Sequence, residues 1–332
     1  MTSRRHKKVI LLILTVFLMS FALLSWNFYN LVATPLLSQQ DPPVVINLDR
    51  TATAAQFVKI LKDKNLIHCQ RPMLMFIRTT GLSQKLKAGV YQVIPGETAI
   101  HLLYRVTSGD VLTQNFTIIA GTTQQKISQD LQKAVHMNYQ PGDWALIQEN
   151  HPNAEGMILA DTYQYQGGSS SKHLLEQAHR NLMNYLNTVW TNRAPDLPYK
   201  NAYELLTAAS IIEKESAVPQ ERQLISGVMV NRLNKRMPLQ MDPTVIYGLG
   251  NAYTGKLSHN DMQVDSPYNS YRYRGLPPTP IAMVSKESLD AAAHPQHSNY
   301  LYYVAKGDGT HQFSETYEQQ RQAINQYQRK GS

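Results

Sequence analysis

The sequence predicts an α+β fold in two units, preceded by a single apolar helix at the N-terminus. Short strand-like runs and capped helical patterns follow one another without a long strand-helix alternation, which favours α+β over a parallel α/β sheet. A hairpin with a glycine turn is expected near the C-terminus. The chain of 332 residues is long enough for about two domains.

Composition excludes several classes of protein. With 42% hydrophobic residues and no repeat, the chain is not mainly disordered. Its single cysteine, Cys69, excludes an intramolecular disulfide and a zinc site built on several thiolates. The net charge is +8, but four basic residues stand within the first eight positions and the others form no dense run. We therefore expect no nucleic-acid partner.

The first 29 residues have the pattern of a membrane anchor. Residues 1–8 form a basic tail, residues 9–29 contain no charge, and the next charged residue is Asp41. The apolar run is long enough to cross a bilayer as a helix. A cleaved signal peptide is the alternative, although its apolar core is usually shorter, about 7–15 residues. Because the basic residues precede the span, we expect a cytoplasmic N-terminus and an extracytoplasmic remainder.

Residues 30–43 are predicted to be a linker and residues 44–120 a small α+β unit. Its expected strands cover residues 44–48, 91–94 and 115–119, and its expected helices cover residues 54–64 and 99–106. The turn Pro95-Gly96-Glu97-Thr98 suits a capped helix start, since glycine tolerates the turn and threonine can accept a free N–H. With this turn the unit resembles the LysM module, a small glycan-binding domain.

Residues 121–327 are predicted to form the second α+β unit. Its expected elements are helices over residues 124–134, 173–190 and 203–216 and a hairpin over residues 300–305 and 311–313. The helix over 203–216 ends near Glu213 and Glu215. These two carboxylates lie about 200° apart around the helix axis, so they cannot form a close pair.

Glu215 is expected in the last turn of its helix, because Pro219 disfavours a helical conformation at Val218. A carboxylate there meets the negative end of the helix dipole and apolar neighbours. Both influences favour the protonated form, which can act as a general acid near neutral pH. The alternative, from this segment alone, is that Glu213 and Glu215 are both solvated charges on the helix surface.

Several motifs of the second unit occur in an order that resembles a known family. They are residues 209–216 (ASIIEKES), 230–233 (VNRL), 239–248 (LQMDPTVIYG), 268–271 (YNSY), 275–281 (GLPPTPI), 291–295 (AAAHP) and 300–304 (YLYYV). Together they resemble the endolytic murein transglycosylase family, also called MltG or YceG-like, over about residues 155–325. One position departs: Ala160 stands where the family has proline before Asp-Thr-Tyr, which leaves the rigidity of that loop open.

The resemblance implies which residues form the site. Glu215, followed by Ser216, matches the family's catalytic glutamate. Gln240, Tyr268 and Asn269 match residues that line the sugar groove, with scaffold roles as the alternative.

Two further carboxylates, those of Asp242 and Glu213, are expected to take no part in catalysis. Asp242, before Pro243, is expected to be a turn or capping residue rather than a second catalytic carboxylate. Glu213 is expected to be a helix-surface residue.

The activity implied is that of a lyase at the bacterial plasma membrane. It cleaves the β-1,4 bond between N-acetylmuramic acid and N-acetylglucosamine in peptidoglycan without water, leaves 1,6-anhydro ends, and limits the length of new glycan strands. The partners implied are glycan strands and wall-synthesis proteins. No metal or cofactor is expected, because the spacing of the C-terminal histidines offers no single metal-binding face. These histidines are His294, His297 and His311.

Two rival functions remain open. A muramidase in which Asp242 activates water would leave reducing muramic ends. A non-catalytic wall-binding or assembly protein would use the LysM-like unit and an inactive groove.

Overall fold

The computed structural model describes residues 2–215 and 218–327 and shows a mixed α and β chain with one apolar N-terminal helix. The chain divides into two compact units that interleave along the sequence, whereas the sequence predicts one boundary at residue 120. The first unit comprises Met1–Gln114, Val135–Met137 and Tyr165–Ser169, and the second comprises Asn115–Ala134, Asn138–Gln164 and Ser170–Ser332.

The N-terminal helix α1 spans Thr2–Ala33. Its segment Ile10–Ala33 has a mean hydropathy of 2.1, and by length and composition it suffices to cross a membrane. The helix continues four residues past the predicted end of the anchor at residue 29. Leu31 is buried in the core of the first unit. The segment predicted as a linker therefore begins as helix and contributes to a core.

The first unit contains a two-stranded sheet and three further helices. These elements are β1 (Val44–Leu48), α2 (Ala54–Asp63), α3 (Gln70–Thr79), β2 (Gly89–Val93) and α4 (Ala99–Ser108). The two strands are antiparallel, with Val44 opposite Val93 and Leu48 opposite Gly89. Buried residues of α2, α3 and α4 form one apolar core with inward-facing residues of the sheet.

The turn between β2 and α4 confirms the predicted capped helix start. Gly96 adopts φ +84°, a left-handed conformation that glycine accepts without strain. Thr98 is the N-cap and accepts a hydrogen bond from the His101 N–H. The Glu97 carboxylate is buried and accepts hydrogen bonds from Arg105 at 3.1 and 3.2 Å. This charged pair ties the turn to the last turn of α4.

The second unit begins within β3, contains β4 only as far as Gln164, and is mainly helical. Its elements are β3 (Thr113–Thr117), α5 (Gln124–Lys133), β4 (Thr162–Gln166), α6 (Ser171–Thr191), α7 (Ala202–Glu215), α8 (Arg222–Asn234), α9 (Asp242–Leu249), α10 (Lys286–Ala293), β5 (Tyr302–Ala305), β6 (His311–Ser314) and α11 (Tyr317–Tyr327). Strand β3 pairs with β4, and the antiparallel pair of β5 and β6 confirms the predicted hairpin.

Helix α7 occupies the centre of the second unit. It packs against α6, α8, α9 and α10, and residues 205–212 are all buried. Because α7 is buried on every side, neighbouring helices fix its position and that of the residues at its end. Glu215 is the last residue of this helix, as the sequence predicts.

The loop that carries Ala160 is tethered through its backbone. The Ala160 N–H donates a hydrogen bond to the Val284 carbonyl oxygen at 2.9 Å, and Leu159 forms a β-bridge with Val284. A proline at position 160 has no N–H to donate. A hydrogen bond thus holds this loop where the family has a proline ring.

Candidate active site

Glu215 is partly buried at the C-terminal end of α7. Burial raises the pKa of its carboxyl group to about 7; a hydrogen bond from the Tyr303 hydroxyl and the positive charge of Arg232 oppose this rise, while the negative charge of Asp242 adds to it. A carboxyl group with such a pKa is present in both protonation states near neutral pH. It can give a proton and later take one.

Tyr303, on β5, is the direct partner of Glu215. Burial and the neighbouring carboxylate raise the pKa of the Tyr303 hydroxyl well above its usual value, so it remains a neutral hydrogen-bond donor. The His311 ring meets the Tyr303 ring edge-on, with centroids 5.3 Å apart. Glu221 holds His311 by accepting from its backbone N–H at 2.9 Å and contacting Nδ1 at 2.7 Å. Through His311, Glu221 therefore helps to hold the Tyr303 ring in place.

Arg232 connects α8 to two parts of the site. Its guanidinium donates to the Leu301 carbonyl oxygen at 2.6 Å and to the Leu239 carbonyl oxygen at 2.7 Å. It also donates to the side-chain oxygen of Gln240 at 3.2 Å. Burial lowers the pKa of this guanidinium from a very high usual value, so it still carries its charge. Hydrogen bonds stabilise the positive charge of Arg232, and this charge also opposes the rise in the pKa of Glu215.

Gln240 is exposed and lies beside this arginine. Its φ of +51° is uncommon for a residue with a side chain, and such strain is concentrated at functional sites. Its backbone N–H donates to Ser270 at 3.1 Å, which helps to hold the conformation. This position suits the groove role expected for Gln240.

Asp242 is the first residue of α9 and is exposed. Its carboxylate accepts a hydrogen bond of 2.6 Å from the Tyr271 hydroxyl. A carboxylate in the first turn of a helix is favoured by the helix dipole. Its other effect is electrostatic, since its charge makes Glu215 harder to ionise.

The two adjacent residues Tyr268 and Asn269 have different environments. Tyr268 is partly exposed, and its hydroxyl lies 2.9 Å from the Thr279 hydroxyl. Asn269 has no exposed surface. Its side-chain amide donates to two backbone carbonyl oxygens of the same loop, those of Met262 and Val264, at 3.0 and 2.8 Å. The geometry therefore favours the scaffold alternative for Asn269, whereas Tyr268 remains accessible.

The expectation that Glu213 is a carboxylate on the helix surface is wrong. Its side chain is only 5% exposed and accepts a hydrogen bond from Arg222 at 3.1 Å. Its other oxygen accepts from the Ser285 N–H at 2.9 Å, and Ser285 is the N-cap of α10. Glu213 thus joins three helices. Ser216, which follows Glu215 in the motif, lies outside the described residues.

The histidines do not gather at one point. Within residues 2–215 and 218–327, no group of three or more His, Cys, Asp or Glu side chains could hold a metal ion. His311 is paired with Glu221 instead.

The chain belongs to the YceG-like family, whose family model matches residues 46–326. It is also similar to a crystal structure of a YceG-like protein from Listeria monocytogenes, with a TM-score of 0.53 and 26% identity. That similarity covers 85% of this chain and 99% of the Listeria chain.

Curated relatives add a named activity. An endolytic murein transglycosylase of Bacillus subtilis is 28% identical over 321 residues, covering 88% of this chain and 87% of the relative. An endolytic murein transglycosylase of Streptococcus pneumoniae is 33% identical over 164 residues, covering 46% of this chain and 28% of the relative.

Proposed function

We propose that this protein is a membrane-anchored endolytic murein transglycosylase with Glu215 as its one catalytic acid and base. The observation that carries the proposal is the Glu215 carboxyl group at the end of α7: burial raises its pKa to about 7, and the Tyr303 hydroxyl donates a hydrogen bond to it. The substrate is the glycan strand of peptidoglycan, cleaved between N-acetylmuramic acid and N-acetylglucosamine. The activity named for the relatives supports this substrate.

One carboxyl group suffices for the reaction. Protonated Glu215 donates to the glycosidic oxygen as the bond breaks, and the acetamido carbonyl of the muramyl unit attacks the anomeric carbon. Glu215, now a carboxylate stabilised by the Tyr303 hydroxyl, removes the proton from the C6 hydroxyl of the same sugar. The C6 oxygen then attacks the anomeric carbon, which breaks the bond to the acetamido oxygen, restores the N-acetyl group and closes the 1,6-anhydro ring. Because the C6 oxygen belongs to the same sugar, ring closure is intramolecular and benefits from proximity.

Asp242 defines the rival reaction. It lies close enough to raise the pKa of Glu215, and a second carboxylate near the acid is what a water-activating muramidase needs. In this chain the Asp242 carboxylate accepts a hydrogen bond from Tyr271. This contact leaves both reactions possible, and the activity named for the relatives favours the lyase.

The remaining parts of the proposal concern location and binding. The basic residues in the first turns of α1, before its apolar span, favour a cytoplasmic N-terminus in the plasma membrane, with both units outside the cytoplasm. A reporter fused after residue 332 should then be active only outside the cytoplasm. The unit over residues 44–120, with its capped turn, serves as a LysM-like glycan-binding domain. From this position the enzyme limits the length of new strands beside wall-synthesis proteins.

The test is mass analysis of the fragments that the full-length protein, purified in detergent, releases from peptidoglycan. The expected products carry 1,6-anhydro ends and are lighter by one water than hydrolysis products. If wild type releases reducing muramic ends and Glu215→Gln does not, the protein is a muramidase and the lyase assignment is wrong. No release at all would support the non-catalytic alternative.

A soluble form without the anchor must keep the residues that pack in the core of the first unit. Leu31 belongs to that core, and Leu36 and Leu37 pack against it. A cut after residue 40 removes all three, so a soluble form should begin near residue 30.

A further inference from the structure

A cavity of about 490 Å³ lies within the second unit, separate from the immediate partners of Glu215. The start of α5, the end of α9 and the loop that carries Tyr268 contribute to its wall. Its size is in the range of small-ligand sites. The lining residues used below are Gln124, Gln125, Ser128, Glu155, Tyr247 and Tyr268.

Glu155 is the buried polar group of this cavity, with 3% of its surface exposed. One carboxylate oxygen accepts from the Gln124 N–H at 2.9 Å, and the other accepts from the Tyr247 hydroxyl at 3.1 Å. Burial raises the pKa of its carboxyl group to about 7. In the part of the chain that the structure describes, its partners include neither lysine, arginine nor histidine.

The neighbouring glycine fixes Glu155 in this position. Gly156 adopts φ +75°, and a Cβ added there would lie 2.4 Å from the Cβ of Pro280. Only glycine fits such a contact, so the turn places Glu155 independently of any ligand. The cavity is therefore built before a ligand arrives.

The cavity combines aromatic surface with neutral polar groups. The rings of Tyr247 and Tyr268 have centroids 4.8 Å apart and are tilted by 60°. Gln125 is exposed and can both donate to and accept from a ligand. Ser128 is partly exposed; its hydroxyl donates to the Gln124 carbonyl oxygen at 2.9 Å, and its oxygen can accept from a ligand. Glu155 is almost fully buried and both of its oxygens already accept hydrogen bonds, so the groups that face a ligand are neutral amides and hydroxyls beside aromatic rings. Such groups suit an uncharged ring that carries hydroxyl and acetamido groups better than they suit a cationic peptide side chain.

Two segments of chain connect this cavity to Glu215. In α9, Asp242 acts electrostatically on Glu215, and Tyr247 bonds Glu155 five residues later, roughly 7–8 Å along the helix axis. In the following loop, Tyr271 bonds Asp242, and Tyr268 lines the cavity. The cavity and the acid thus lie in the same unit and share α9 and the loop after it as neighbouring structure.

The geometry points to a second sugar subsite: this cavity binds an N-acetylated sugar ring of the same glycan strand, away from the bond that is cleaved. This inference rests on the proposed function, because it takes peptidoglycan as the substrate. Its consequence is preference for long strands, since only a strand that reaches both Glu215 and the cavity gains the extra contacts.

The test compares two double variants of α5 in the full-length protein. Gln125→Ala with Ser128→Ala removes polar groups from the cavity. Gln129→Ala with Gln132→Ala makes an equivalent change at exposed positions outside the cavity lining. Glu155→Gln is not the primary variant, because Glu155 also binds the first N–H of α5. Thermal unfolding establishes that both double variants are as folded as wild type.

The first measurement is binding in a Glu215→Gln background, which needs no catalysis and so is independent of the proposed reaction. The probes are long and short glycan strands freed of stem peptides. Loss of two hydrogen-bonding groups should weaken binding of long strands by about 10-fold and leave binding of short strands unchanged. The α5 control should bind both probes like wild type. Equal affinity of cavity variant and control for long strands would overturn the subsite.

The second measurement separates the sugar from a peptide occupant and the subsite from the reaction. If the cavity variant loses affinity only for strands that retain stem peptides, the cavity binds peptide and the sugar assignment is wrong. With active protein, the cavity variant should raise KM for long strands by about 10-fold at unchanged kcat. A fall in kcat with unchanged KM would contradict the subsite. Absence of anhydro products from wild type, with the binding difference intact, would reject the proposed reaction alone.

Discussion

Glu155 and Glu215 have the same raised pKa, about 7, for the same physical reason, which is burial. Their surroundings differ. Glu155 is almost entirely enclosed and accepts hydrogen bonds from a main-chain N–H and a tyrosine. Glu215 ends a helix, keeps part of its surface exposed, and lies in the field of one cation and one anion. A perturbed pKa therefore marks two sites here, and the nearby charges of Arg232 and Asp242 distinguish Glu215 from Glu155.

The largest effect should follow from Glu215→Gln. The variant keeps the size of the side chain but cannot give or take the proton, so release of anhydro product should fall by about 10²-fold or more. The matched control is Glu204→Gln, at the opposite end of α7, where the carboxylate accepts the Lys200 N–H at 2.7 Å. The control should retain near-normal rates. Normal release by Glu215→Gln, measured by mass spectrometry of anhydro ends, would reject Glu215 as the acid.

The second effect concerns stability, where Glu155 matters. Its pKa is about 7 in the folded protein against 4.5 for the ordinary group, so between these values the folded state holds a proton that the unfolded state has lost. The free energy of unfolding should therefore fall as pH rises from about 4.5 to 7, by up to about 3 kcal/mol from this group. Glu155→Gln should flatten that dependence in urea titrations. An identical pH dependence in wild type and variant would contradict the burial argument.

Much of the fold follows from local patterns. The β1 strand has the predicted ends, because a short, mostly apolar and β-branched run stands between Pro43 and Asp49. The described part of α7 ends at Glu215, which places this glutamate in the last turn, where the sequence predicts it. The sequence does not predict α3, because proline is unfavourable inside a helix. In the structure Pro72 lies in the first turn of α3, where proline is tolerated.

The candidate site is less visible in the sequence. Glu215, Gln240 and Tyr303 all stand in motifs, but nothing in the sequence pairs Tyr303 with Glu215, which is 88 positions earlier. Only the folded hairpin brings the two together. Glu213 looks like a surface charge for the same reason, since Ser285 is 72 positions away. Burial and long-range partners decide these roles, and no helical or strand period encodes them.

The third effect should follow from Glu213→Gln, in the carboxylate two residues before the acid. The change removes the charge that pairs with Arg222 in a nearly buried site. We expect a loss of about 1–3 kcal/mol in the free energy of unfolding, because the arginine loses its ionic partner. Activity per folded molecule should remain close to that of wild type. Unchanged stability in urea titrations would show that the pair contributes nothing, and a dead but fully folded variant would bring Glu213 into the chemistry.

The smallest effect is a shift in pH dependence on Tyr303→Phe. The Tyr303 hydrogen bond lowers the pKa of Glu215, so its removal should raise that pKa above about 7. The cleavage step needs protonated Glu215, and the alkaline limb of kcat/KM should therefore move to higher pH by about one unit. The charges of Arg232 and Asp242 and the neighbouring Tyr271 hydroxyl are unchanged in the variant, so only the lost hydrogen bond is measured. The control is Tyr302→Phe, which keeps the ring that lies 5.3 Å from the Arg232 guanidinium and should leave the limb in place. A limb that stays fixed or moves to lower pH in Tyr303→Phe would mean that this hydroxyl does not tune the acid.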